Sequence, residues 1–182
     1  MHKIIPALIC TLCLLASAAC SKTETTNDNS KTAVAANSNA NSAEAKAPPA
    51  NIVTVSTSPA QLAPGGETMA AIEVNIASGY HVNANPASAK YLIATALEVE
   101  AGDKITAGQP QYPASVTKKF AFSPDPLSVY EGAAQIKVRL KAAADAQKGE
   151  HTLRAKVRVQ PCDDQACYPP RTIDTSIPVT IK

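Results

Sequence analysis

Residues 153–170 read Leu153-Arg154-Ala155-Lys156-Val157-Arg158-Val159-Gln160-Pro161-Cys162-Asp163-Asp164-Gln165-Ala166-Cys167-Tyr168-Pro169-Pro170, and this stretch decides the fold. Leu153, Ala155, Val157 and Val159 alternate with Arg154, Lys156 and Arg158, and a period of two is the pattern of a strand with one face buried. The alternation breaks at Gln160-Pro161 and resumes in Ile173, Thr175, Ile177, Val179 and Ile181. Cys162 and Cys167 therefore lie between two strands, placed to face each other across a turn. The four residues between them allow the Cα atoms to approach within the roughly 4.4–6.8 Å of a disulfide, provided the backbone turns back on itself.

Upstream the same alternation recurs. Ile72, Val74 and Ile76 share one face of residues 69–76, and Ile136, Val138 and Leu140 share one face of residues 135–140. Shorter candidate strands are residues 52–55, 80–84, 96–100, 118–122 and 127–130. Turn-forming stretches separate them: Ala63-Pro64-Gly65-Gly66, Ala101-Gly102-Asp103, Ser123-Pro124-Asp125-Pro126 and Gln147-Lys148-Gly149. About seven to nine strands in about 130 residues fit an all-β, two-sheet sandwich. Helix is nearly absent; residues 87–91 and the alanine stretch 142–146 allow a single turn each or plain loop.

The chain has 182 residues and begins unlike the rest. Met1-His2-Lys3 is a short basic start, and the apolar stretch from Ile4 to Leu15 is too short to span a bilayer, so residues 1–19 read as a signal peptide. Ala16-Ser17-Ala18-Ala19 before Cys20 resembles the lipobox of bacterial lipoproteins, in which the cysteine after the cut is acylated. Ser17 stands where that pattern has a large aliphatic residue, and the alternative is ordinary cleavage before an unmodified Cys20. Ser21 rather than Asp follows, which by the same resemblance sorts a Gram-negative lipoprotein to the outer membrane rather than the inner one. Residues 20–50 are rich in Ser, Thr, Asn, Ala, Lys and Glu, end in Ala47-Pro48-Pro49-Ala50, and read as a disordered tether. The thirty residues from Ser21 to Ala50 have an r.m.s. span of roughly 30 Å and a stretched reach of roughly 100 Å. The folded domain is expected over residues 51–182.

Charge and composition exclude several classes. Lys plus Arg is 17 and Asp plus Glu is 15, with no basic patch for nucleic acid. The absence of Trp, with only Phe120 and Phe122 as phenylalanines, argues against the aromatic platforms of sugar and single-strand binders. No Ser-His-Asp arrangement, Gly-rich phosphate loop or carboxylate pair in a cleft stands out, and no cofactor is implied.

Cysteine usage points the other way. Cys10 and Cys13 leave with the signal peptide and Cys20 is consumed by lipid, so Cys162 and Cys167 remain. An even pair in an oxidising compartment is most simply a disulfide. As a staple it would contribute little, since closing a loop of about six residues removes only on the order of 2 kcal/mol from the unfolded state.

The motif Gln160-x-Cys162-Asp163-Asp164-x-x-Cys167-x-Pro169-Pro170 resembles the N-terminal periplasmic domain of the thiol:disulfide interchange protein DsbD. Gly79-Tyr80-His81-Val82, Tyr91-Leu92-Ile93-Ala94-Thr95, Tyr112-Pro113 and Val129-Tyr130-Glu131-Gly132 fall in the family's order, so the likeness covers roughly residues 52–181. The resemblance implies an immunoglobulin-like sandwich whose reduced cysteine pair passes electrons to thioredoxin-like periplasmic partners and is recharged by another thioredoxin-like domain, a protein-disulfide reductase type of activity. It implies that Cys167 forms the mixed disulfide and Cys162 resolves it. It also implies a short aromatic loop shielding the pair; the candidate is Lys118-Lys119-Phe120-Ala121-Phe122-Ser123, whose other reading is an ordinary strand with a buried phenylalanine. Four residues separate the cysteines where typical members have five, and the chain ends at Lys182 without the family's membrane-spanning and C-terminal thioredoxin-like parts.

Asp163, Asp164 and Tyr168 border the pair as candidate modulating residues. Carboxylates beside a thiol raise its pKa, which would hold the pair unreactive until a partner docks; alternatively both aspartates are solvated turn formers. Two other functions stay open. One is a non-catalytic immunoglobulin-like binding or assembly module with a permanent disulfide. The other is a copper or zinc protein using Cys162, Cys167 and His81, for which a closed four-ligand set is lacking.

Overall fold

A computed structural model describes residues 49–182. The expected signal peptide, Cys20 and all but the last residues of the expected tether lie outside the described residues.

Among the described residues the secondary structure is all β, with no helix. The strands are β1 (Val53–Thr57), β2 (Ala60–Leu62), β3 (Glu67–Ile76), β4 (His81–Asn83), β5 (Ala96–Val99) and β6 (Ile105–Ala107), then β7 (Val116–Lys118), β8 (Leu127–Tyr130), β9 (Ala133–Ala142), β10 (Gly149–Val159), β11 (Pro161–Cys162) and β12 (Arg171–Ile181). The long ones follow the period-two pattern closely. Along β9, Ala134, Ile136, Val138, Leu140 and Ala142 are buried while Gln135, Lys137, Arg139 and Lys141 are exposed. Along β10, Leu153, Ala155, Val157 and Val159 are buried between exposed Arg154, Lys156 and Arg158.

Two four-stranded sheets, in the orders β1-β3-β9-β6 and β2-β12-β10-β5, contribute to one core. Ile72, Val74, Ile136, Val138 and Leu140 from the first meet Leu153, Val157, Ile177, Val179 and Ile181 from the second in a single buried cluster. Each aliphatic side chain so buried contributes about 1.5–3 kcal/mol, which is why these faces, rather than the short strands, hold the sandwich together.

The two-sheet expectation needs one correction: a third sheet, β11-β4-β8-β7, is built from short strands. Two of its strands are continuous in the chain with strands of the main sheets. β8 leads into β9 through Gly132, whose φ of 62° is in the left-handed region that suits glycine and whose carbonyl accepts a hydrogen bond from Ile76 N at 2.7 Å. β10 runs through Gln160 into β11, which pairs antiparallel with β4. All three residues of β4 are buried, because it is covered on both faces. Val82 joins the main core, while His81 packs on Phe120.

The candidate strand over residues 118–122 is corrected as well. Strand pairing ends at Lys118, opposite Leu127, and residues 119–126 form the loop joining β7 to β8. Ser123 N–H donating to the Phe120 carbonyl at 3.3 Å closes a turn there, and Pro124 and Pro126 cannot donate to a ladder. Residues 87–91 and 143–146 are turns and loop, not helix, and Ala142 ends β9. β2, β6, β7 and β11 have three residues or fewer, too short for a period to be read.

Candidate functional site

The cysteines lie where β10 leaves the sandwich. Cys162 is opposed to Cys167 in an antiparallel bridge, with Asp163 N–H donating to the Ala166 carbonyl (2.9 Å) and Tyr168 N–H donating to the Pro161 carbonyl (2.8 Å) on either side of it. The two are joined in a disulfide with S–S 2.02 Å and Cα–Cα 4.0 Å. They are not equivalent. Cys162 is 0% exposed, whereas Cys167 is half-buried and packs against a second apolar cluster of Leu92, Phe120, Leu127 and Val129, beside Phe122.

Asp163 organises the turn. Its Oδ1 accepts hydrogen bonds from Gln165 N (2.8 Å) and Ala166 N (2.9 Å), an Asx arrangement favoured by this residue type, and its Oδ2 accepts the Tyr168 hydroxyl at 2.6 Å. The Tyr168 hydroxyl, followed by the two backbone donors, holds the Asp163 carboxyl below its ordinary pKa despite partial desolvation. The same bond to Asp163 pushes Tyr168 up to about 12. Asp164 is exposed at the tip of the turn. Tyr168 also approaches Tyr80, with ring centroids 6.4 Å apart.

Phe120 is 5% exposed and its ring stacks on His81 at 4.1 Å between centroids, with planes 20° apart. Phe122 stacks on Phe120 at 5.4 Å. The loop between β7 and β8 thus brings both candidate phenylalanines into the cluster against which Cys167 packs.

Gln160 and Asn83 were not singled out as site residues from sequence, yet they anchor the motif. Gln160 Oε1 accepts from Asn83 Nδ2 (3.0 Å) and Ile93 N (2.9 Å), and its Nε2 donates to the Tyr168 carbonyl at 3.3 Å. Asn83 Nδ2 also donates to the Ile93 carbonyl at 3.1 Å. The available signal was Gln160 itself, a polar residue that ends the alternation directly before Pro161-Cys162.

His81 entered the sequence reading within the family-like Gly79-Tyr80-His81-Val82 segment and as a ligand of the alternative metal site. It is 1% exposed, is the cross-strand partner of Cys162, and its Nε2 has no hydrogen-bond partner. Burial lowers its pKa, against opposing contributions from Glu131, Asp164 and Asp163, with Lys118 adding to the lowering. Among the described residues no three His, Cys, Asp or Glu side chains converge as a metal site needs.

A disulfide between a fully buried and a half-buried cysteine, packed against an aromatic cluster and with a buried histidine across the ladder from Cys162, is an arrangement suited to thiol–disulfide exchange. Comparison with solved structures agrees in fold. The N-terminal periplasmic domain of ScsB from Proteus mirabilis is similar at 13% identity and a TM-score of 0.50, over 75% of this chain and 49% of that one. The Neisseria meningitidis DsbD N-terminal domain in the reduced form is 20% identical over 71% of this chain and 87% of its own, with a TM-score of 0.47. The complex between the DsbD N-terminal and PilB N-terminal domains of the same organism includes a chain 21% identical, covering 72% of this chain and 84% of that one, with a TM-score of 0.42. No curated protein matches the chain. The family model described as "Thiol:disulfide interchange protein DsbD, N-terminal" matches residues 49–178, most of the chain and nearly all of the described sandwich. The all-β, immunoglobulin-like sandwich and its Cys162–Cys167 disulfide are therefore those of a chain that belongs to the DsbD N-terminal domain family.

Proposed function

We propose that this protein is an exported, periplasmic thiol–disulfide exchange domain that passes electrons between thioredoxin-like donor and acceptor proteins through Cys162 and Cys167. Family membership supports exchange chemistry in general, and the observation that carries the finer assignment is the unequal exposure of the two cysteines. A partner's cysteine can reach only the half-buried Cys167, so Cys167 forms the mixed disulfide. Cys162, fully buried and already bonded to Cys167, is placed to displace the partner. Phe120 and Phe122 act as a cover that a docked partner lifts.

In this reading residues 1–19 are removed, Cys20 carries the lipid that anchors the chain to the outer membrane, and residues 20–50 tether the domain of residues 51–182 within reach of its partners. Cys162 and Cys167 then carry the whole redox role.

The test is the reduction potential of the Cys162–Cys167 pair, measured on the chain with Cys10→Ser, Cys13→Ser and Cys20→Ser by equilibration in thiol buffers and mass readout of alkylation. A value between about −180 and −270 mV matches exchange proteins. A value below about −300 mV marks a structural disulfide and would replace this reading with that of a binding module.

A further inference from the structure

We propose that His81 is the base that takes the proton from Cys162 when Cys162 displaces the partner from the mixed disulfide. The inference rests on the exchange reading above and assigns one of its proton transfers to a residue.

Cys162 is 0% exposed, so water cannot take its proton where it stands, and burial in apolar surroundings raises a thiol's pKa. Only the thiolate attacks a disulfide. A base must therefore lie within the fold. In the β4–β11 ladder Cys162 and His81 are directly opposed antiparallel residues, a relationship that projects both side chains to the same face with Cβ atoms about 4.5–5.5 Å apart. His81 is 1% exposed and its Nε2 is unpartnered, an orphaned polar atom on the residue directly across the ladder from Cys162.

The other groups around Cys162 cannot do this. The Gln160 carbonyl, 3.7 Å from its Sγ, can accept a hydrogen bond but not a proton. Asp163 is engaged by Tyr168 and two backbone N–H groups, and Glu131 is paired with Lys118 at 2.6 Å. Asp164 is exposed at the tip of the turn. These charges face His81 from β7, from the residue after β8 and from the β11 turn. Burial keeps the imidazole neutral with a free lone pair, while Glu131, Asp164 and Asp163 favour the imidazolium once a proton arrives.

The step balances as follows. His81 takes the proton of Cys162, and the Cys162 thiolate attacks Cys167 Sγ. The Cys162–Cys167 bond forms as the bond from Cys167 to the partner breaks. The electron pair leaves on the partner's sulfur, which is thereby reduced, and the imidazolium returns its proton to that thiolate.

The test uses 5,5′-dithiobis(2-nitrobenzoate) as oxidant, on the reduced chain with Cys10→Ser, Cys13→Ser and Cys20→Ser. The first release of the coloured thiolate reports attack by Cys167 and the second reports resolution by Cys162. His81→Phe keeps a ring to stack on Phe120 but removes the base. We expect its first release to match that of the parent within about twofold and its second to slow by about 100-fold near pH 7, the usual worth of a positioned base. The deficit should shrink as pH rises. Equal second phases at every pH, or both phases slowed alike, would overturn the assignment. A second measurement does not depend on kinetics: with Cys167→Ser also present, His81→Phe should raise the thiol pKa of Cys162, read by thiolate absorbance, and an unchanged value counts against His81. Cys167→Ser alone must abolish the first release; if it does not, the exchange reading itself fails, and the role of His81 with it.

Discussion

His81 and Phe120 stack at 4.1 Å between ring centroids, so the loop joining β7 to β8 rests on the strand that pairs with Cys162. Loop and disulfide are thereby one packed unit, with Phe122 layered on Phe120 and both Phe122 and Cys167 packed against the same apolar cluster.

Removing the inner ring should loosen that unit. Phe120→Ala deletes a side chain 5% exposed, and we expect it to destabilise the domain by about 3 kcal/mol. Phe122 is half-buried, so Phe122→Ala should weaken stability less while speeding attack of dithiothreitol on the oxidised pair. Urea unfolding and reduction kinetics separate the two effects; unchanged reduction by both variants would remove the covering role.

The reduced cysteines should react unequally. Iodoacetamide is expected to modify Cys167 about tenfold faster than Cys162, because accessibility gates the thiolate. Cys162→Ser should leave a stable mixed disulfide at Cys167 with a thioredoxin-like protein, and Cys167→Ser should leave none. Peptide mass mapping of a short alkylation pulse checks the first, and non-reducing electrophoresis the second.

Gln160 should matter for stability more than its single amide suggests. Gln160→Leu leaves the Ile93 N–H and one Asn83 N–H without their shared acceptor. A part-buried donor left unpaired costs about 1–3 kcal/mol, so we expect a loss of about 3 kcal/mol in urea unfolding. A loss under about 0.5 kcal/mol would mean water replaces the amide there.

Asp163 makes stability depend on pH. Its carboxyl is held low, first by the Tyr168 hydroxyl. A carboxyl depressed in the folded state contributes stability above its unfolded value of about 3.9, and that contribution is lost as pH falls through the lower folded value. Tyr168→Phe should therefore raise the Asp163 titration and flatten the acid loss of stability below about pH 4. An NMR titration of the Asp163 carboxyl, with unfolding at pH 7 and pH 3, decides it; an unmoved midpoint would show that the backbone donors alone hold the carboxyl low.

Gly132 lies at the crossing from the third sheet into the first with φ 62° and open space around its Cα. Gly132→Ala should cost about 1 kcal/mol through backbone strain alone, with no clash to relieve. Thermal unfolding tests it.

The long strands and their buried faces were legible in the chain itself. In β9 and β10 the alternation of apolar with charged residues leaves one way to bury an apolar face, and the burial pattern follows it residue by residue. The cysteine pair was legible too, because two cysteines flanked by strands and separated by four residues have little choice but to face each other. The third sheet was legible only in part: the candidate strands at residues 80–84 and 127–130 contain β4 and β8, but β7 and β11 have two or three residues, and the pairing of these four short strands with one another is decided by the tertiary fold.

The same division holds at the site. Sequence named Cys162, Cys167, Phe120, Phe122, Asp163, Asp164 and Tyr168, all local to two loops. Which sulfur is buried, what the phenylalanines rest on, and which acceptor Ile93 uses depend on contacts between residues far apart in the chain: His81 with Cys162, Phe120 with His81, and Gln160 with Asn83. Local periodicity carries information about a residue's own strand face, because the side-chain direction there is set by the backbone. It carries none about which distant strand lies alongside, because that is chosen by the packing of the whole core.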